Sequence, residues 1–249
     1  MAPNLLRRKI VELVFNSKEG HIPSSFSIID IIYYLYNKKI KKNKSIFILS
    51  KGHGALALYV VLNYFKILKT KILNLYYKNN KYIGGHPEIS LEGVEASTGS
   101  LGHGFPTATG IAMACKIKKN KKKTYVLVGD GECNEGTVWE SAHIAANFNL
   151  DNLVCIVDDN QSSKNLLPID DLKKKWDSFG WHVVEADGHS FRSLDKAFRK
   201  IDKKKNKKPS VIIASTIKGK GISFMENQGQ WHHKVPNQDE LKKIYEILK

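Results

Sequence analysis

Apolar positions along the chain switch between two rhythms, and the switch defines its elements. From Ser27 to Tyr36 they fall at helical spacing, which predicts a buried helix entered through a turn at Gly20-His21-Ile22-Pro23. Ser45 to Ser50 is a short apolar run, and Lys51-Gly52-His53-Gly54 opens a helix that continues to Phe65. Beyond that point strands and helices alternate. Thr124 to Val128, Leu153 to Val157, Trp181 to Glu185 and Val211 to Ser215 read as strands, with helices at Val138 to Phe148 and Ser193 to Lys200. The strands are continuously apolar, so both faces of their sheet must be covered. The pattern predicts an α/β fold, a three-layer α/β/α arrangement on a mostly parallel sheet. No repeat or Pro/Gly/Ser-rich linker divides the chain, so residues 1–249 are expected to form a single domain.

Charge changes this picture little. The formal net charge is +16, but it resides in lysine runs at Lys38 to Lys44, Lys116 to Lys123, Lys173 to Lys175 and Lys203 to Lys208. Each run flanks apolar segments, where solvated turns and helix ends belong. No aromatic residues interleave with them, so no nucleic-acid partner is expected; attraction of phosphorylated substrates is compatible. The most apolar stretch, Ala55 to Phe65, is interrupted by Asn63 and falls short of the ~20 residues a bilayer requires, so no membrane span is expected. Met1 to Val14 lacks the features of a signal peptide. Cys115, Cys133 and Cys155, at spacings unlike a metal site, fit reduced thiols and a cytoplasmic protein.

Candidate chemistry begins at Gly129-Asp130-Gly131-Glu132, directly after the Thr124 to Val128 strand; Asp158-Asp159-Asn160 follows the next strand. Consecutive strands of a βαβ unit are parallel, so Asp130 and Asn160 emerge at the same carboxyl edge, where open α/β sheets bind ligands. A carboxylate and an amide oxygen there suit a hard cation, Mg²⁺ or else Ca²⁺ or Mn²⁺, and such a cation commonly bridges protein to a diphosphate. Gly129 and Gly131 are expected to permit a tight turn and close approach of backbone to phosphate oxygens. Alone, Gly-Asp-Gly is a common turn. The strand ending in Asp159-Asn160 one crossover later gives it weight.

This Gly-Asp-Gly…Asn arrangement resembles the thiamine-diphosphate-binding motif, and a resemblance to transketolases extends over nearly the whole chain. Gly20-His21, Ser50-Lys51-Gly52-His53, Gly85-His86-Pro87-Glu88, Thr98-Gly99-Ser100-Leu101-Gly102, Gly129 to Gly136 with Trp139-Glu140, Lys218-Gly219-Lys220-Gly221 and Trp231-His232 appear in transketolase order. Ser-Lys-Gly-His favours transketolase over the related deoxyxylulose-phosphate synthases, which carry a different segment there. The resemblance implies a thiamine-diphosphate-binding fold of the diphosphate-domain type, with thiamine diphosphate as cofactor. It implies Asp130 and Asn160 as side-chain metal ligands and the Ser162 carbonyl as a backbone ligand. His53, Gly129, Gly131, Glu132 and Lys218 are implied around the diphosphate, with backbone amides from Gly99, Ser100 and Leu101 to Gly104 and the helix N-terminus behind them. His21, His86 and His232 are implied to face a donor sugar, and Glu135 to connect paired active sites.

The implied activity cleaves a ketose between C2 and C3 and passes the two-carbon unit to an aldose. The cofactor supplies the electron sink, and imidazoles orient hydroxyls and shuttle protons. Two positions depart from the family pattern: His103 stands where glutamine is usual, and His233 where glycine commonly follows the last active histidine. Both are expected near the cleft, with consequences for substrate preference. Gln161 to Ile169 lacks the family's usual glycine-bearing turn. No counterpart of the family's pyrimidine-binding domain and its activating glutamate occurs in the sequence. The resemblance therefore implies a second, pyrimidine-domain polypeptide as partner, in an α₂β₂ assembly with active sites at subunit interfaces. The alternatives are a deoxyxylulose-phosphate-synthase-like enzyme and an inactive thiamine-diphosphate-binding paralogue.

Overall fold

The computed structural model describes residues 2–40, 45–78, 83–164, 166–169 and 171–249, so positions 41–44 of the first lysine run lie outside the described residues. Helices α1 (Ala2–Ser17) and α2 (Ile22–Lys38) lead to β1 (Ser45–Leu49), α3 (Ala55–Tyr64) and the single turn α4 (Thr70–Leu73). The alternating part comprises α5 (Gly104–Ile117), β2 (Lys123–Gly129), α6 (Gly136–Asn147), β3 (Leu153–Asp159), α7 (Leu172–Ser178), β4 (His182–Asp187), α8 (Phe191–Lys203), β5 (Ser210–Ser215) and α9 (Gln238–Ile247).

The sheet has five strands in the order β1-β2-β3-β5-β4, and every neighbouring pair is parallel. Successive side chains of a strand point to opposite faces, and both faces are apolar. Phe47, Leu49, Tyr125, Leu127, Val154, Ile156, Ile212 and Ala214 join one core with α1, α2, α3 and α8. Ile48, Val126, Val128, Cys155, Val157, Val211 and Ile213 join the other with α5, α6 and α7. The sandwich follows from that split, and the expected three-layer α/β architecture is the one observed.

Each predicted strand is present, but Trp181 falls outside β4. Its buried indole instead packs against Trp176 and donates to the Ala142 carbonyl, tying α7 to α6. Helices α1, α4, α5, α7 and α9 occupy stretches the patterning leaves unassigned, although the resemblance implied the N-terminus of α5. The last is opened by a capping box, Asn237 with Glu240. The path of the chain creates the crevice that matters. From β3 it passes to α7 on one face, while from β5 it runs to Ile222, Met225 and α9 on the other. Strands whose continuations part in this way leave an opening at their carboxyl ends, where ligands bind in such sheets.

Candidate active site

The parallel register decides which residues meet. Gly129 pairs with Asp158, Asp159 with Ser215, and Leu49 with Leu127, so Ser50-Lys51, Asp130, Asp158 to Asn160 and Thr216 to Lys218 leave the sheet side by side. Of these, Lys51, Asp130, Asn160 and Lys218 line a cavity of about 380 Å³. Of the residues expected around cofactor and metal, His53, Leu101, Gly129, Asp130, Gly131, Glu132, Asn160, Ser162 and Lys218 line it, as does His232. Gly99 and Ser100 do not. Gly99 lies beside His86, whose ring would be 3.5 Å from a Cβ at that position.

Asp130 is 6% exposed, yet among the described residues its carboxylate receives only long contacts: Ser162 Oγ at 3.4 Å, Ser163 N at 3.4 Å and Ser163 Oγ at 3.3 Å. A buried carboxylate so weakly bonded is under-satisfied, and a cation is the natural complement. The neighbouring Asn160 is oriented from behind. Its Nδ2 donates to Ser27 Oγ and to Asp158 Oδ2, both at 3.0 Å. Asp158 can only accept, so this contact fixes the amide's sense, and Oδ1 keeps a lone pair beyond the one used by Ser162 N–H. Two hard oxygen donors with spare capacity fit Mg²⁺. Lys218 supplies the opposite sign. It forms no ion pair among the described residues, and burial, followed by the charge of Lys51, lowers its pKa. An anionic group beside it would relieve both conditions.

The hub behind these groups has no signature in the sequence. Asp158, 0% exposed, accepts from Ser27, Thr216, Asn160 and Lys51, whose ammonium lies 2.5 Å away. Lys51 is thereby ion-paired, whereas Lys218, among the described residues, has no such partner. Glu132 also has a use other than the one expected. Its carboxylate accepts from Ser50 Oγ, from Gly102 N at 2.9 Å and from Gly129 N at 3.0 Å, so it clamps the ends of β1 and β2 to the loop before α5. Burial raises its pKa, and those three donors oppose the rise. With the Gly102 amide so engaged, this loop offers fewer amides than expected; Gly104 packs so closely on Ser50 that a Cβ there would sit 2.6 Å from the serine Cα.

The turn chemistry requires a further correction. Neither Gly129 nor Gly131 has a positive φ, and Asp130 between them is helical at φ −56°, ψ −49°. A Cβ at Gly131 would meet nothing closer than Ser163 at 3.4 Å. The turn itself does not demand glycine; what the two glycines provide is room where they line the cavity. Glycine is required instead at Gly52, where a Cβ would lie 2.9 Å from the Thr98 carbonyl oxygen. The segment after β3, which lacks the family's glycine, turns on Gln161 at φ +59°, a left-handed conformation that costs a non-glycine residue about 1–2 kcal/mol.

The histidines form one group although they come from distant segments. From His21, ring centroids lie 5.7 Å from His53, 6.5 Å from His86, 5.0 Å from His232 and 3.8 Å from His233. Glu135 stands apart from them, exposed at the start of α6. His103 is exposed too and bonds through Nδ1 to the carbonyl of the cavity-lining Leu101. Burial first, and neighbouring positive groups second, lower the pKa of His53 to about 2, of His21 to about 3 and of His232 to about 4. Unfolding returns each to its ordinary 6.5, so below that pH the unfolded chain binds protons the folded chain does not. Stability is therefore expected to decline as pH falls from about 6.5 toward about 4. Urea midpoints measured across this range for the wild type and His53→Asn test it. The variant should decline less steeply, and equal slopes would show that His53 protonates freely in the fold.

Matches to known proteins agree with this geometry. Residues 2–248 fit the family model described as transketolase, thiamine diphosphate binding domain. The chain belongs to the transketolase family. Its relatives include an apulose-4-phosphate transketolase subunit from Actinobacillus succinogenes, 41% identical, with 98% of this chain and 93% of that protein covered. The 6-deoxy-6-sulfo-D-fructose transketolase subunit of a Clostridium species is 32% identical over 92% of this chain and 88% of the relative. Human transketolase is 36% identical over 93% of this chain, which spans 39% of that longer protein. Among solved structures, transketolase from Campylobacter jejuni superposes with a TM-score of 0.87 at 28% identity, covering 99% of this chain and 42% of that one.

Proposed function

We propose that this chain, as a single diphosphate-binding domain over residues 1–249, is one subunit of a two-component transketolase. The observation that carries the reading is the meeting, at one cavity, of an under-satisfied Asp130 carboxylate, a pre-oriented Asn160 oxygen and a Lys218 with no ion-pair partner among the described residues. Asp130, Asn160 and the Ser162 carbonyl would hold Mg²⁺, while Lys218 and His53 would hold a diphosphate. Thiamine diphosphate, when bound, supplies the electron sink for two-carbon transfer from a ketose to an aldose. His21 and His232, kept neutral by burial, each present one N–H and one lone pair to sugar hydroxyls. Each can therefore accept a proton at its lone pair, without first losing one to solvent, and later return it. His86 completes the donor-facing group.

The partner would contribute the pyrimidine-side domain and its glutamate in an α₂β₂ assembly, with exposed Glu135 near the junction of paired sites. Support for a separate partner comes from relatives of similar length that are named as transketolase subunits. Ketose and aldose phosphates are the proposed substrates, with a pentose-phosphate role as the default. The buried, free Cys115, Cys133 and Cys155 fit a reducing, cytoplasmic setting. Among the described residues no helix is long and apolar enough to cross a membrane.

Ketol transfer from xylulose 5-phosphate to ribose 5-phosphate, with thiamine diphosphate and Mg²⁺, tests the reading. Activity is expected only when this chain is mixed with its candidate partner. Robust transfer by the chain alone overturns the two-component form, and absence of cofactor binding in the mixture overturns the reading itself.

A further inference from the structure

His233 is the histidine for which the proposed reaction has no use, yet it lies closer to His21 than any other ring in the cluster. His21 sits at the N-cap of α2, and His232 and His233 follow the short 3-10 turn Gly229–Trp231. That turn is anchored. Trp231 is buried, packs 5.5 Å from Phe224, and carries the Lys234 ammonium 4.2 Å above its ring. Two fixed backbone segments thus aim three imidazoles at one point. One ring nitrogen from each of His21, His232 and His233 lies within 4.8 Å of the others.

We propose that His21, His232 and His233 form a binding site for a borderline-soft divalent transition ion, Zn²⁺ being the reference case. Zinc bound tetrahedrally at about 2.0–2.1 Å from imidazole nitrogens needs them about 3.3 Å apart. His233 is exposed, which leaves its ring room to rotate toward the other two. Three protein ligands leave a fourth position open to water or another small oxygen ligand, the arrangement of non-structural zinc sites. The donor set is all nitrogen, which selects zinc, copper or nickel over magnesium and calcium. The Asp130–Asn160 pair has the opposite preference, so the two sites sort different ions.

In the chain without substrate no protein group among the described residues hydrogen-bonds to these rings, so zinc and a donor sugar would compete for His21 and His232. Side-chain hydrogen bonds of histidine rings among the described residues belong to His103, His143 and His189, not to these three. The same freedom sets the strength. With no carboxylate or carbonyl orienting the rings from behind, affinity forgoes the roughly 10–100-fold that such partners supply. The nearby Lys218 charge lowers it further. The site should bind zinc reversibly and in the micromolar range.

Zinc titration of the full chain by calorimetry, in excess Mg²⁺ to cover the oxygen donors, tests this directly. The expected result is one Zn²⁺ per chain, with affinity falling at least ~10-fold in His233→Ala and unchanged in Asp130→Asn. Cobalt substitution should give the visible d–d bands of a tetrahedral nitrogen-liganded ion, and these should be lost in His233→Ala. Because His233 is exposed, that variant is expected to fold normally, and its urea midpoint checks this. His143→Ala, an exposed histidine elsewhere, should bind zinc as the wild type does. Zinc affinity unchanged in His233→Ala, or lost instead in Asp130→Asn, overturns the site.

Discussion

Asp130→Asn is expected to weaken Mg²⁺-dependent thiamine diphosphate binding by at least ~100-fold while leaving the fold intact, since even outer-shell partners of a bound metal contribute 10–100-fold. The side chain keeps its shape but loses the charge that makes its position suitable for a cation. Its present contacts, all 3.3 Å or longer, contribute little to the apo protein, so stability should shift by less than about 1 kcal/mol, or even rise as an under-satisfied buried charge is removed. Calorimetric titration of cofactor into the chain and into its mixture with the partner, at fixed Mg²⁺, measures the first effect. Urea unfolding measures the second. Binding within a few-fold of wild type would place the metal elsewhere and remove the central support for the proposed function.

The opposite pattern is expected one strand away. Asp158→Ala should cost about 3–5 kcal/mol of folding stability, the penalty for leaving a buried charge without its partner. Lys51 is the residue left behind, with a side chain 3% exposed and its ammonium 2.5 Å from the lost carboxylate. At about 2–4 °C per kcal/mol for a chain of this size, melting should fall by roughly 10 °C. Asn160 would lose one of the two bonds that fix its amide, so metal affinity should weaken as well. Adding Lys51→Met removes the stranded charge, and the double variant is expected to recover at least ~1 kcal/mol over Asp158→Ala alone. Thermal melts of the single and double variants decide the matter. A single-variant cost under about 1 kcal/mol would mean that the pair is already hydrated in the folded chain.

The two predictions differ because the two aspartates, so near each other, are bonded differently, and the sequence distinguishes them only in part. Asp130 is legible: a Gly-Asp-Gly at a strand end, answered by Asn160 one crossover later, is a pattern with a mechanism. Asp158 precedes Asn160 by two positions and looks like part of the same polar cluster. Its partners Ser27, Lys51 and Thr216 come from three other segments, and no local spacing connects them. Glu132 shows the same limit. Its motif places it at the diphosphate, but its carboxylate turns toward Ser50, Gly102 and Gly129, a choice made by loops folded against one another.

The sequence by itself determined the strands, their parallel arrangement and the carboxyl edge at which chemistry would gather. Hydrophobic periodicity is a local property, and continuous apolar runs admit one architecture when helices alternate with them. It also singled out His21, His53, His86 and His232 as candidates, through their resemblance to a known order of motifs, and the fold brings their rings together. Tertiary structure alone decided which acidic groups are held by buried donors and which remain free for a ligand. It alone brought His233 within 3.8 Å of His21 across more than two hundred residues of chain. The physical reason is common to both. Burial and hydrogen-bond satisfaction are properties of a point in space, set by whatever segments the fold delivers there, and nothing in a residue's immediate neighbours encodes them.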